Sequence, residues 1–455
     1  MRSFPAFVVL CLAACATASP RFEQDVATTF AQDEMRSLST PDLELYYPAA
    51  YAAQAQRVAA RATECVRALR GHQAPPEAQD KVLLFLTSSN YNNAYVDGQR
   101  QGEPLHSLVP LTVSEEIFHW YGLSAADTGD IACHEMFHVV HFEQVKGFWR
   151  LFNLVFGPQV PSQVFLERWF TEGLAQYYEG RVVRPSGRPH SPLYRGAFDA
   201  FVHQRGGELG GGDLSVSQRE LGPFSGAYLT GLYFIEYLAR THGEERLWQL
   251  MDLQASSFIA PLAVSLRFRD VYGADLGQLL DAWAAELKAS APARERPVAQ
   301  RVLRGQVGQL ARLGAHAASG ALALLSSGNE EVNTLRIVGT DGVVRAERRL
   351  AQLAPIRDWI VANAYTVSGL SFSADGRFLF LVNDDLIDRG DTRAQLIKLD
   401  AATLQTVQVW NDLGRAMGGT VSADGRRYTL VDFPPSGGAR VVELDLGSGA
   451  RKVWL

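Results

Sequence analysis

The sequence predicts an α+β domain built around a metal site, followed by an all-β repeat domain. Three observations predict it. His134-Glu135-Met136-Phe137-His138 sits among the apolar residues Ile131, Val139, Val140 and Phe142. Trp169-Phe170-Thr171-Glu172-Gly173 opens a second amphipathic helical pattern. After Ala291-Pro292-Ala293-Arg294, helical periodicity gives way to strand alternation with an internal repeat.

The HExxH spacing carries the chemistry. Residues four apart lie one above the other on a helix, so His134 and His138 can hold one zinc ion through their ring nitrogens. Glu135 then sits beside the open side of the metal as general base to an acidified water, which is what peptide hydrolysis requires. Glu172 shares a stripe with Phe165, Trp169 and Gln176. A lone carboxylate on a core-facing stripe is costly unless paired or bound to metal, so Glu172 is the expected third ligand. The bland reading, a surface helix with two satisfied histidines, conflicts with the apolar surroundings.

These motifs resemble the gluzincin metallopeptidases, in particular the peptidase MA-like group. HEMFH resembles their zinc helix. RWFTEGLAQYYEG, Arg168 to Gly180, resembles their third-ligand helix, and GAYLTGLYFIEYLARTHG, Gly226 to Gly243, the helix that follows. The resemblance covers residues 45–290. It implies a thermolysin-like fold, one zinc per chain on His134, His138 and Glu172, and Glu135 as base and acid. Tyr228, followed by Gly231, falls at the position of the tyrosine that aids the transition state. Two departures stand out. The interval from His138 to Glu172 is longer than in thermolysin-like and aminopeptidase-like enzymes. The GxMEN motif with which those aminopeptidases bind a free N-terminus is absent, so an endopeptidase acting on a peptide or protein substrate is expected.

The 455 residues suffice for two or three domains with real cores. Net charge is −6 and the basic residues are scattered, which excludes an evident nucleic-acid surface. Lysine occurs only at Lys81, Lys146, Lys288, Lys398 and Lys452, which reads as compositional bias.

Taken in order, residues 1–15 hold Arg2, an apolar run from Phe4 to Leu12, and Leu12-Ala13-Ala14-Cys15. The run is too short to span a membrane as a mature helix. It resembles a bacterial lipoprotein signal with Cys15 as the lipidated residue; Ala16 after the cysteine matches the outer-membrane-sorted class. The other reading is a secretory signal cleaved near Ala18. The first implies a lipid-anchored protein on the periplasmic face of the cell envelope. Residues 16–40 read as a tether and residues 41–295 as the zinc domain. Pro48 to Gly71 reads as an Ala- and Arg-rich helix, Lys81 to Thr87 as a buried strand, Asn90 to Gly102 as a loop, and Leu108 to Val113 as a second strand. Asp127 or Thr128 caps the zinc helix. Gly147 to Pro161 is apolar; lining a substrate pocket, touching a membrane and packing into the core all fit it. Arg205 to Asp213 is a Gly-rich loop without the lysine of a phosphate cradle.

Residues 300–455 read as the all-β unit. Ser373-Ala374-Asp375-Gly376-Arg377-Phe378-Leu379-Phe380 recurs at Ser422 to Thr429, and more weakly from Ala318 to Leu324. A turn followed by an alternating strand resembles TolB-like and WD40-like propeller blades, so a partial propeller is expected. Turn chemistry explains Asp375 and Asp424 without function. Such repeats offer a surface for an envelope partner. The rival reading makes that surface the function and the zinc domain a degenerate, non-catalytic scaffold; retention of Glu135 beside all three ligands argues against it.

Of the other polar residues, His141 reads as a support or core residue, Tyr177 and Tyr178 as packing, and Glu179, seven residues past Glu172, as a surface carboxylate in preference to a support of the site. His119 and Trp120 read as packing. Cys65 and Cys133 fit small buried residues, and pairing in an oxidising compartment is open to them.

Overall fold

The computed structural model describes residues 20–72, 81–89, 93–97, 105–111, 128–156, 166–216, 226–256, 264–290, 309–327, 333–353, 367–386, 392–435 and 439–454. Cys15, the segment with His119 and Trp120, Asp127 and Phe165 lie outside them. The chain divides into two compact units: residues 1–87 with 91–292, and residues 293–455 with 88–90.

The first unit begins with α1 (Gln24–Gln32) and strand β1 (Met35–Ser39). Of the expected tether over residues 16–40, the part from Gln24 to Ser39 is thus a helix and a strand of this unit. Val26 is fully buried, and Phe22 and Phe30 meet edge-to-face with ring centroids 5.0 Å apart, Phe22 also reaching Phe85. Val26 and Phe30, four apart, share one face of the helix, and Phe22 folds onto it from just before the helix begins. β1 then pairs antiparallel with β2 (Leu43–Pro48), Leu38 opposite Leu45.

Helix α2 (Ala52–Arg70) buries Ala55, Val58, Ala59, Ala62, Cys65, Val66 and Leu69, the three-and-four spacing of a single face. With β3 (Val82–Thr87), β4 (Tyr95–Asp97) and β5 (His106–Pro110) the sheet is complete, in the order β1-β2-β3-β5-β4. β2, β3 and β5 run parallel; β1 and β4 are antiparallel edges. Leu43, Leu45 and Tyr47 alternate inward on β2, as do Val82, Leu84 and Leu86 on β3, and α2 packs against β2.

Helices fill the rest: α3 (Thr128–Phe142), α4 (Gly147–Phe156), α5 (Arg168–Glu179), α6 (Pro192–Gln204), α7 (Leu229–His242), α8 (Glu244–Ser256), α9 (Val264–Tyr272) and α10 (Leu276–Ser290). α3 lies between α2 and α5, and α7 crosses α5. The last crossing is close. A Cβ on Gly173 would stand 2.8 Å from the Gly231 backbone, and one on Gly231 2.6 Å from the Trp169 carbonyl oxygen, so only glycine fits on either side. Helix α4 does not vanish into the core: Trp149 is buried, while Leu151 is 61% and Leu154 82% exposed.

A disulfide joins Cys65 on α2 to Cys133 on α3, with Cα atoms 5.6 Å apart. Both sulfurs are buried, so the two readings of these cysteines hold together.

The second unit contains three antiparallel four-stranded sheets among the described residues: β6 (Gln309–Ala315) to β9 (Val344–Arg349), β10 (Gly369–Phe372) to β13 (Thr406–Trp410), and β14 (Ala416–Val421) to β17 (Arg451–Val453). Period two explains their stacking. On β11 (Phe378–Leu386), Leu379 and Leu381 join a core shared with the first sheet, and Phe380 and Val382 one shared with the third. The repeated turns consume their own polar groups. Asp375 Oδ1 accepts from Ser373 Oγ at 2.6 Å and from the Arg377 N–H at 3.0 Å, and Asp424 does the same with Ser422 and Arg426. No helix among the described residues is long and apolar enough to cross a membrane.

Candidate metal centre

Helix α3 delivers the two histidines. Its face toward the core is Ala132, Cys133, Met136, Phe137, Val139 and Val140. Its first turn carries Asp130, favoured there by the helix dipole and held by Arg61 at 3.0 Å, Arg184 at 3.2 Å and Ser186 at 2.8 Å. One turn on, His134 and His138 emerge together. Helix α5, anchored by buried Trp169, Phe170, Leu174 and Ala175, delivers Glu172.

The three side chains converge on one point. His134 Nε2 and His138 Nε2 are 3.3 Å apart, and Glu172 Oε2 lies 3.3 Å from the first and 3.4 Å from the second. Four-coordinate zinc with bonds of about 2.0–2.1 Å needs ligand atoms about 3.3–3.4 Å apart, so the residues fit the ion. The donor set, two imidazoles and a carboxylate, is also the kind that zinc takes in sites that leave a position open. His134, His138 and Glu172 are the cluster of metal-binding side chains that stands out among the described residues.

Around the ligands lie two further charged groups, Glu179 and Arg188. Glu179, for which a surface place was preferred over support of the site, is buried, and its Oε2 lies 2.9 Å from His134 Nδ1. Its place seven residues after Glu172, two turns along the same helix, was the available signal. Arg188 had none, because it arrives from a turn. Its Nε donates to both oxygens of Glu179, at 3.0 and 3.1 Å, and its backbone N–H adds a bond of 2.8 Å. The turn depends on Gly187, whose φ is 70° and whose Cβ would meet Glu179 Oε1 at 2.7 Å.

Arg188 Nη2 also approaches His134 Nδ1, at 2.8 Å. The two contacts compete, since Nδ1 either donates to Glu179 or accepts from Arg188. Donation to Glu179 leaves the Nε2 lone pair facing His138 and Glu172, which is the tautomer a metal requires.

Charge is sorted sharply. Burial alone would raise Glu179, but the Arg188 guanidinium and His134 together outweigh it and hold the carboxyl down at about 2. Glu172 is likewise pushed up by burial and pulled further down by its contacts with His134 and His138, ending well below the usual range. Glu135 has less relief, with no side-chain hydrogen bond among the causes that lower it. Burial raises it from the ordinary 4.5 to about 7, with Glu172 and Glu179 adding and His138 and Arg188 opposing.

Tyr228 ends the segment before α7, half-buried. Its hydroxyl accepts a hydrogen bond of 3.0 Å from Arg168 Nη2, and its ring lies between the guanidinium groups of Arg168 and Arg188, 5.2 and 5.7 Å from the centroid. Burial and the Glu172 charge raise its phenol above the ordinary value. His141 is buried with its ring 5.5 Å from Phe137 and 5.9 Å from Phe142, turned to packing. Trp169 and Gln176 are buried on α5, and Tyr178 stacks on Phe137 at 5.1 Å.

The sequence matches no family model and no curated protein. Among solved structures, the chain is similar to the M1 zinc metallopeptidase of Deinococcus radiodurans, with 16% identity over 55% of this chain and 52% of that one and a TM-score of 0.31. It is similar to the native yeast LTA4 hydrolase, with 10% identity over 59% of this chain and 40% of that one and a TM-score of 0.32. It is also similar to the β-propeller domain of the Trilobed protease from Pyrococcus furiosus, with 13% identity over 33% and 44% and a TM-score of 0.24. The chain thus spans 52%, 40% and 44% of these structures, under two thirds of each. Likenesses this distant leave the side chains of the site as the ground for any functional reading.

Proposed function

We propose that the chain is a zinc-dependent peptidase that cleaves internal peptide bonds. One observation carries this reading: three ligand atoms lie 3.3 to 3.4 Å apart beside a buried carboxyl held near neutrality. His134, His138 and Glu172 hold one ion, and Glu179 and Arg188 fix the ring of His134. A zinc ion there supplies a Lewis acid and an acidified water.

The chain's own groups handle the protons. Glu135, ionised at neutral pH in part, takes a proton from the attacking water and returns it to the leaving amine. Tyr228 donates a hydrogen bond from its hydroxyl to the oxyanion of the tetrahedral intermediate and keeps its proton. The absent GxMEN motif supports cleavage inside a chain rather than trimming from a free amino terminus. The second unit, with its polar turns closed on themselves, supports recognition of a large substrate or envelope partner rather than chemistry.

We also place the protein in the bacterial envelope, anchored by lipid on Cys15. The Cys65–Cys133 disulfide supports an oxidising compartment. Fractionation of cells fed a labelled fatty acid tests the anchor; label that survives Cys15→Ser contradicts it. The peptidase itself is tested with full-length protein on a mixed peptide library, with and without chelator. Cleavage lost on chelation and regained with zinc is expected; cleavage indifferent to chelator contradicts the reading.

A further inference from the structure

Arg168 is the first residue of α5, one turn before Glu172. Its side chain is 70% exposed, yet it is not idle. Nε lies 3.6 Å from Glu172 Oε1, the oxygen that does not face the histidines. Nη2 donates to the Tyr228 hydroxyl at 3.0 Å. We propose that Arg168 is a positioning residue of the peptidase site, which orients the third metal ligand and the Tyr228 hydroxyl together.

The donor rules give the argument its direction. A guanidinium has donors and no acceptor. The Tyr228 oxygen must therefore accept from Arg168, and its own proton is left free to form a hydrogen bond. Glu172 is divided in the same manner: Oε2 toward the metal ligands, Oε1 toward Arg168. The planar fork hydrogen-bonds the Tyr228 hydroxyl and holds Glu172 as a 3.6 Å ion pair at the same time, a pairing of directions that a lysine ammonium reproduces only loosely. Because the head group is exposed, solvent screens its charge, so orientation outweighs repulsion of the bound cation. The same exposure makes Arg168 replaceable without emptying the core.

This inference rests on the peptidase reading, and the experiment keeps the two apart. Full-length wild type, Arg168→Ala, Arg168→Lys, Tyr228→Phe and the Arg168→Ala/Tyr228→Phe double variant are compared. Zinc affinity is read by competition with a chromogenic chelator, and kcat and KM at saturating zinc on a fluorogenic peptide that wild type cleaves. Arg168→Ala is expected to bind zinc about tenfold more weakly, the scale of losing a ligand's outer partner. Its kcat is expected to fall about tenfold or more with KM changed less than about threefold. Arg168→Lys recovers part of both. Added to Tyr228→Phe, Arg168→Ala lowers kcat by less than about threefold, because the hydroxyl it orients is already gone. Unchanged zinc affinity in Arg168→Ala overturns the proposal, as does a double variant in which the two kcat losses multiply in full. If zinc-loaded wild type cleaves no peptide, the peptidase reading fails, and zinc affinity alone decides the hold of Arg168 on Glu172.

Discussion

Glu135 and Glu179 are both buried beside His134, and their environments move their carboxyls in opposite directions, Glu135 up to about 7 and Glu179 down to about 2. Desolvation acts on each; the Arg188 guanidinium opposes it at both, but only Glu179 is hydrogen-bonded to that guanidinium. For Glu135 the native carboxyl is raised from 4.5 to about 7. Its contribution to stability is therefore fully present below pH 4.5, declines between 4.5 and 7, and is lost above. At about 1.4 kcal/mol per pH unit the penalty at pH 8 is about 3 kcal/mol. Glu135→Gln removes it, so the metal-free variant should exceed metal-free wild type by up to about 3 kcal/mol at pH 8 and by little at pH 4. Urea unfolding in chelator reads this; equal stabilities at pH 8 contradict it. Glu179 works through the metal. Glu179→Gln should weaken zinc about ten- to a hundredfold while the fold survives, and an unchanged chelator titration would refute its role. Of this site, the sequence displayed the two histidines, Glu135 and Glu172, because helical spacing reports them directly. It hid Arg188, which a turn supplies, and its seven-residue spacing allowed Glu179 a supporting role without deciding for it, because a lone carboxylate carries no sign of its partner.

The helices hold the site through two devices. One is the Gly173–Gly231 crossing of α5 and α7, which brings the residues around Glu172 up to Tyr228. Gly231→Ala should cost about 1–3 kcal/mol by overpacking and lower turnover, because the helix that Tyr228 leads into must move. A variant with wild-type melting temperature would show that the crossing relaxes freely. The other is the disulfide, which closes a loop of 68 residues between α2 and the residue before His134. Replacing both cysteines by alanine should lower stability by about 2–4 kcal/mol, measured by denaturant unfolding. Helices with a strong apolar stripe, α2, α3, α5 and α7, were legible in the sequence. α1 was not: Phe22, Val26 and Phe30 are three apolar residues in a polar stretch, and their value comes from Phe85 on a strand far along the chain. Nor was the disulfide, since two cysteines without a partner pattern do not declare a bond.

At the scale of the molecule, the two units keep separate cores. One gathers Leu43 to Trp283, and two more lie between Ala323 and Leu446. The change of period after residue 290 announced this in the sequence, and the repeated Ser-Ala-Asp-Gly turns announced the second and third sheets. How many strands each sheet holds was not legible, because short alternating segments look alike whether central or at an edge. Residues 20–292 expressed alone should fold and bind one zinc per chain; an unfolded fragment at ambient temperature would show that the β unit completes the first core. The central claim is that His134, His138 and Glu172 hold a zinc that Glu135 uses. It is tested most directly by measuring zinc content and peptide cleavage side by side in full-length wild type, Glu172→Ala and Glu135→Gln. The account predicts one zinc and cleavage in wild type, zinc lost with cleavage in Glu172→Ala, and zinc kept with turnover down by about a hundredfold or more in Glu135→Gln. Stoichiometric zinc in Glu172→Ala, or turnover in Glu135→Gln within tenfold of wild type, would contradict it.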